Sequence, residues 1–356
     1  MPFWFSIFCR FDYNAAMQAK RVTIGITMGD PAGIGPEVLI RALTSDPTLR
    51  ERAKFVIFGL HQQLKWTAEQ LDVEWNIFRD DPANLRPYVY DTVVSDYGLE
   101  YIMPNRMARE SSKLGGQASL RFVEDATAAA LAGTIDAIVT APISKASWAL
   151  AGQKKHPGHT DLIANRCGVR HYAMMFVSPQ LRVTLATIHE PIINLRDKLS
   201  IGAVYNPIEL THNALRDWFG IENPRIAVAG LNPHAGEEGH IGDEEGRIIE
   251  PAIFMARENG LDATGPIPAD SVFNRTVNGE FDSVLAMYHD QGMIPIKLLG
   301  RGETVNVTLG LPIIRTSPDH GTAFDIAGKF SAAAPVDPSS FSAALNLAID
   351  LANHKQ

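Results

Sequence analysis

The feature that most constrains the fold is an alternation. Apolar runs of strand length, each stopping at a polar or glycine-bearing turn, alternate with longer stretches of helical period. "RVTIGITMGD" (21–30) reads as a strand, and "PAGIGPEVLIRALTS" (31–45) as a loop opening a helix. "KFVIFGL" (54–60) and "HQQLKWTAEQL" (61–71) repeat the pair. "IDAIVTAPIS" (135–144) is a strand ending in a turn, and "YAMMFVS" (172–178) with "LRVTLATIHE" (181–190) predicts a hairpin. Helical "PIELTHNALRDWFG" (207–220) precedes the strand in "RIAVAGLNPHAG" (225–236). "DEEGRIIEPAIFMARENG" (243–260) has acids at its start, an apolar stripe and a glycine stop, as a helix should. "SVLAMYHDQG" (283–292) is again a strand reaching a turn, and "SFSAALNLAIDLA" (340–352) is the last helix, after a loop at 332–340. Such alternation predicts an α/β protein with a largely parallel sheet.

The 356 residues suit one large α/β unit or two coupled domains. With 46% hydrophobic and 20% charged residues, the chain is neither disordered nor built to span a bilayer. A net charge of −8 with scattered basic residues argues against nucleic-acid binding. It leaves room for a small anion, which needs only a few local cations. Cys9 and Cys167 cannot form a disulfide framework, which points to a reducing, cytoplasmic home. Residues 1–16 lack the basic start and cleavage site of a signal peptide. They read as a loose extension, with Met17 the expected initiator.

Ligands of open α/β sheets bind beyond the carboxyl ends of strands. Three strand-like runs stop at a histidine there: His189, His234 and His289. A lone histidine in such a place is more often structural. Three at equivalent positions suit a divalent metal with sites left for substrate, and Asp270 and Asp290 stand ready to orient imidazoles or to ligate. The turn "GDPAGIGPE" (29–37) departs from the dinucleotide spacing and reads equally well as a packing turn. In "KKHPGHTDLIA" (154–164), His159 and Thr160 fall at an expected helix start, where backbone N–H groups favour anions, although Thr160 would serve as a plain cap. Lys297, Asn306 and Arg315 form a cation–amide–cation set suited to phosphate or carboxylate.

Taken together, "TMGDPAGIGPE", "PGHT", "LNPHAG", "AMYHDQG", "GLPIIRTSPDHGTAFDIAG" and "ALNLAI" resemble the 4-hydroxythreonine-4-phosphate dehydrogenases of vitamin B6 synthesis, in order and from about residue 21 onward. The resemblance implies an isocitrate/isopropylmalate dehydrogenase-like two-domain α/β/α fold, with the active site in the interdomain cleft at a homodimer interface. It implies a first domain of 17–140 plus 300–356, and a second, 141–299, carrying the metal histidines and dimer contacts. The family's metal ligands fall on His189, His234 and His289, and its substrate residues on His159, Thr160, Lys297, Asn306 and Arg315. The segment His320, Gly321, Thr322, Ala323, Asp325 and Ile326 resembles the adenosine loop of isopropylmalate dehydrogenases, where an Asp-Ile pair accompanies NAD rather than NADP. A carboxylate there accepts from a free ribose 2′-hydroxyl and repels a 2′-phosphate. Asp161 stands where glutamate is common in the family.

The activity implied is oxidation of the C3 hydroxyl of 4-phosphooxy-L-threonine by NAD, or NADP in its place. One divalent zinc, cobalt or magnesium ion would acidify that hydroxyl. The 3-keto acid formed, 2-amino-3-oxo-4-(phosphooxy)butanoate, loses CO₂ to give 3-amino-2-oxopropyl phosphate. Lys145, Asp270 and Asp290 are the candidate proton acceptors. The alternatives are a dehydrogenase of another phosphorylated four-carbon hydroxy acid, a metal-dependent phosphatase and a non-catalytic phosphometabolite sensor.

Overall fold

A computed structural model describes residues 21–84, 90–98, 109–330 and 335–355. The reading of residues 1–16, and the first three residues of the loop at 332–340, therefore lie outside the described residues. The strands are β1 (Val22–Thr27), β2 (Ala53–Gly59), β3 (Phe78–Asp80), β4 (Thr92–Asp96), β5 (Ala137–Thr140) and β6 (Ala173–Val177). They continue with β7 (Arg182–Leu185), β8 (Ile226–Ala229), β9 (Ala263–Ile267), β10 (Ser283–Ala286), β11 (Val305–Leu309) and β12 (Ile314–Pro318). All twelve join one sheet in the order β3-β4-β2-β1-β5-β12-β11-β6-β7-β10-β8-β9.

The α/β class and the β6–β7 hairpin are as the sequence predicts, but the sheet is more mixed than its alternation suggested. β3, β4, β2, β1, β5 and β12 run parallel to one another. At the centre, β11 pairs antiparallel with both β12 and β6, and β6 pairs antiparallel with β7. The remaining block of β7, β10, β8 and β9 is parallel within itself and runs opposite to the first. Two short hairpins, 178–181 and 310–313, cause the reversal, because neither has room for a crossover helix.

Strands buried on both faces read as continuous apolar runs, and β5 (AIVT) and β10 (SVLA) are buried at every position. The main core lies around β1 and β2, with Ile24, Ile26, Phe55 and Phe58 against Phe341 and Leu345 of the last helix, Ser339–Lys355. A second cluster sits under the helices Ala269–Val277 and His289–Gly300, where Val183, Leu185, Val284, Met293 and Ile296 meet. The opposite side of His289–Gly300 leaves Ile294 60% and Leu298 74% exposed.

Two helices carry a proline in their interior, a place where it usually marks a break. Pro207 is interior to Ile201–Asp217, whose start is set earlier by Ser200 accepting from the Ala203 N–H. Pro295 is interior to His289–Gly300, so the YHDQG turn opens directly into a helix. The expected helix at 243–260 is also divided, a π-turn at Glu245–Ile249 leading into Glu250–Glu258.

Helix Lys113–Leu131 went unread in the sequence, since its first turn carries Gly115 and Gly116. Gly116 is there for close approach: a Cβ on it would lie 2.0 Å from the Ser147 carbonyl oxygen. That carbonyl belongs to the helix Lys145–Leu150, which begins at a candidate catalytic lysine. Gly116→Ala should therefore cost about 1–3 kcal/mol by overpacking. Urea unfolding is the check, and an unchanged midpoint would show that the two helices can separate freely.

Candidate active site

The three histidines follow β7, β10 and β8, which are adjacent and parallel in the sheet. Their side chains do not all meet. The rings of His189 and His289 face each other, with centroids 5.9 Å apart. Asp290 Oδ1 lies 2.7 Å from His289 Nδ1. That contact places the proton on Nδ1 and leaves the Nε2 lone pair available to a metal. Burial holds the His189 pKa down, helped by the positive fields of Lys145 and His289 and opposed by Asp161. This imidazole is therefore held neutral, the form that ligates.

His234 sits elsewhere. It starts a run of left-handed backbone from His234 to Glu238, with φ of 54° at His234. It lines a separate hollow of about 800 Å³ with Asp243, Glu245 and Arg247. Among the described residues, no group of three or more His, Cys, Asp or Glu is placed to hold a metal. Convergence of the three imidazoles, expected from the strand ends, is thus seen within this chain for two. Asp270 is exposed in the first turn of helix Ala269–Val277, which Pro268 precedes at the cap.

The anion-binding expectation meets a defined pocket. Arg315 on β12 is fully buried. It donates to Thr140 Oγ1 of β5 at 3.1 and 2.7 Å and to Thr308 Oγ1 of β11 at 3.2 Å. Burial pushes its pKa down to about 9, and among the described residues no carboxylate lies in ion-pair reach. His159 is pushed well below the usual imidazole range by burial, and further by Arg315, so it is neutral. His159 Nε2, His320 Nε2 and Asn306 Oδ1 are sealed from solvent, with no hydrogen-bond partner among the described residues. His159 and His320 line, with Thr140, Lys145 and Ser317, a cavity of about 140 Å³. A buried cation beside unsatisfied polar atoms is what a phosphate or carboxylate would complete.

Gly158 rather than Thr160 occupies the cap of helix His159–Arg166. Thr160 and Asp161 follow in its first turn. Lys297 extends from helix His289–Gly300 to Asp319 Oδ2 at 3.3 Å, just past β12, so its charge is already shared. Of the three candidate bases, Lys145 is the one that both lines the cavity and acts on His189.

The 320–330 loop is seated by the 29–37 turn. Ile34 N donates to the Thr322 carbonyl at 2.9 Å, and a Cβ on Gly33 would lie 2.9 Å from the same oxygen. That turn is thus a packing turn. Ala323 takes a left-handed φ of 43°, its carbonyl accepts from Ile326 N and Ala327 N, and the turn presents Asp325 and Ile326 to solvent.

Sequence reasoning missed Asp30, fully buried within the 29–37 turn. Its pKa is raised by burial although Ala32 N donates to it at 3.0 Å. The one clue was an acid set among apolar residues in "TMGDPAG". The Tyr172 hydroxyl, which donates to Asp161 Oδ1 at 2.8 Å, left no trace in the spacing.

The family model for pyridoxal phosphate biosynthetic protein PdxA matches residues 51–348. A 4-hydroxythreonine-4-phosphate dehydrogenase of Desulfosudis oleivorans is 44% identical over 93% of this chain and 96% of its own. A D-threonate 4-phosphate dehydrogenase of Salmonella typhimurium is 43% identical over 86% and 92%. The 1.25 Å crystal structure of 4-hydroxythreonine-4-phosphate dehydrogenase from Klebsiella pneumoniae superposes with a TM-score of 0.81. It is 39% identical and covers 94% of this chain and 99% of that one.

The pocket around Arg315 can be tested without any substrate. Inorganic phosphate should stabilise the wild type against heat, by about 2.7 kcal/mol at a hundred times its Kd. Arg315→Met should abolish that shift while leaving the ligand-free protein about as stable, since it removes a buried charge rather than a partner. Equal phosphate stabilisation of both proteins in a thermal melt would place the anion elsewhere.

Proposed function

This chain belongs to the family of the pyridoxal phosphate biosynthetic protein PdxA, and on that premise we propose that it is a metal-assisted, NAD-dependent dehydrogenase of 4-phosphooxy-L-threonine. The observation that carries this reading is the buried, uncompensated Arg315 beside neutral His159, in a chain whose His189 and His289 also face one another. A phosphorylated substrate needs the first feature and an oxidisable hydroxyl needs the second. The name of the D-threonate 4-phosphate relative keeps a second substrate of the same class in view.

In this mechanism Arg315, with Asn306 and His159 around it, takes the phosphate. A planar guanidinium offers two parallel donors to phosphate oxygens, and its burial strengthens both. Thr160 lies at the same helix start, and Lys297 adds charge from the side of Asp319. Anchoring the phosphate fixes the reacting carbon in place, so binding energy far from the bond being broken serves the chemical step. His189 and His289 would hold a divalent zinc, cobalt or magnesium ion, which supplies Lewis acidity to the C3 hydroxyl. The neutral form of His189 and the Asp290 contact of His289 fit that donor role. Lys145 Nζ, which lines the cavity, is the group we assign to receive the hydroxyl proton, once its own ammonium proton has passed to water. Asp290 orients His289, and Asp270 is left without an assigned contact.

The nicotinamide cofactor supplies the hydride acceptor. We assign its adenosine end to His320, Gly321, Thr322, Ala323, Asp325 and Ile326, and the exposed Asp325 carboxylate supports NAD over NADP. We place the domains at 17–140 with 300–356 and at 141–299. Packing of the last helix against β12, β5 and β1 supports joining the chain's end to its start. The exposed Ile294 and Leu298, with Ile192 at 67% and Ile193 at 85% exposure, suit a homodimer interface. Sharing the active site across that interface would let histidines of two chains complete one metal set. No helix of the described residues is long and apolar enough to cross a membrane, and a cytoplasmic enzyme fits the reading.

The direct experiment follows NADH formation by absorbance against a panel of phosphorylated four-carbon hydroxy acids. Turnover of 4-phosphooxy-L-threonine is the expected result, and failure across the whole panel would remove the reading. His189→Ala, His234→Ala and His289→Ala should each abolish turnover and lower metal content with unfolding midpoints retained. A variant with full activity would take that histidine out of the site. Asp325→Ala should narrow the NAD preference by one carboxylate–ribose contact, about 1.5–3 kcal/mol. A wild type that prefers NADP by kcat/KM would contradict the assignment.

A further inference from the structure

The cleft is rich in cations, and its carboxylates are mostly committed. Lys145 lines the cavity, Arg315 is hydrogen-bonded to Thr140 of its wall, and Lys297 pairs with Asp319, which sits between the lining residues Pro318 and His320. Asp290 engages His289, and Asp30 is buried within the 29–37 turn. Asp161 differs. Its Oδ1 accepts the Tyr172 hydroxyl at 2.8 Å. No hydrogen bond to its Oδ2 is found among the described residues, and that oxygen lies 3.9 Å from where a Cβ of Gly158 would stand. Lys145 Cε lies 3.5 Å from the same point. The Asp161 carboxylate is therefore beside the cavity wall, and its field acts on His189. Burial and this carboxylate together push the Tyr172 hydroxyl up to about 12, so it stays a donor and keeps Asp161 in one orientation.

We infer that Asp161, braced by Tyr172, is the specificity-determining residue that tells a 2-amino acid from a 2-hydroxy acid. The inference rests on the dehydrogenase reading above and deepens it. The carboxylate Oδ2 accepts an N–H of the substrate's 2-amino group, while the phosphate is held by Arg315 and the C3 hydroxyl faces Lys145. An amine in this place, protonated or sharing its lone pair with a cation, carries N–H donors with positive character. A carboxylate among lysines and imidazoles stabilises such donors more than it stabilises a neutral hydroxyl. Tyr172 acts through Asp161 as a positioning residue: it fixes one oxygen so that the other is presented.

The test measures kcat/KM for 4-phosphooxy-L-threonine and for its 2-hydroxy counterpart of the same configuration. Wild type, Asp161→Asn, Asp161→Glu and Tyr172→Phe are compared as folded, metal-loaded proteins. Wild type should favour the amino acid. Asp161→Asn should lose about 30-fold on the amino acid, the size of one charge-assisted hydrogen bond, and roughly threefold or less on the hydroxy acid. Asp161→Glu should keep the preference, and Tyr172→Phe should weaken it in the same direction by less. An equal loss on both substrates in Asp161→Asn, or a wild type indifferent to the 2-substituent, overturns the inference while leaving the dehydrogenase reading intact. A wild type that oxidises neither acid instead overturns the reading.

Discussion

A guanidinium with no counter-charge among the described residues, buried where three strands meet, is the constraint around which the site is arranged. Removing such an ion from water costs several kcal/mol even after relaxation. Here the cost is met in part by the hydroxyls of Thr140 and Thr308, whose dipoles share the charge without cancelling it. The arrangement needs β5, β12 and β11 side by side, so Arg315 is positioned by the sheet rather than by a loop. Its field helps keep His159 neutral, and its unmet charge gives an anion a reason to enter. The free energy of that entry is available for aligning a reacting carbon, provided the surrounding groups do not move.

Those groups are restrained. The 29–37 turn and the 320–330 loop touch through Thr322 with no room for a side chain on Gly33. Helices Lys113–Leu131 and Lys145–Leu150 meet backbone to backbone at Gly116. Asp290 fixes an imidazole, and Tyr172 fixes a carboxylate. Sites held to fractions of an ångström require this kind of support behind the residues that touch substrate. Most of it comes from backbone proximity and short polar contacts, not from the residue types a motif displays.

That distinction explains what was legible in the sequence. Strand ends could be read, because an apolar run stopping at "IHE", "NPH" or "YHD" marks both a strand and a polar terminus. Arg315 could be singled out from charge and spacing, but its burial against Thr140 and Thr308 could not. The adjacency of β7, β10 and β8 could not, because the pattern does not encode neighbour order. Nor could the reversal at β11 and β6, where two hairpins turn one parallel block against another. The helix read from Pro207 onward in fact starts at Ile201, because tertiary packing overrode the usual preference for proline outside a helix. Asp161 was noticed only as a departure from its family. Its relation to Tyr172 depends on the fold returning at β6, eleven residues later in the chain.

The strand order also bears on synthesis. β5 pairs with β1 on one side and with β12 on the other, so Ala137 has Ile24 and Ile314 as lateral neighbours. The first parallel block therefore cannot close until the ribosome has passed Ile314, long after β5 is made, and the helix that covers it, Ser339–Lys355, follows later still. Until then β5 presents an unpaired edge and an uncovered apolar face, the exposures that recruit chaperones or aggregate. A chain truncated before Phe341 would leave that edge and face incomplete. Cellular yield would then depend on how well the nascent β1–β5 block is shielded while translation finishes.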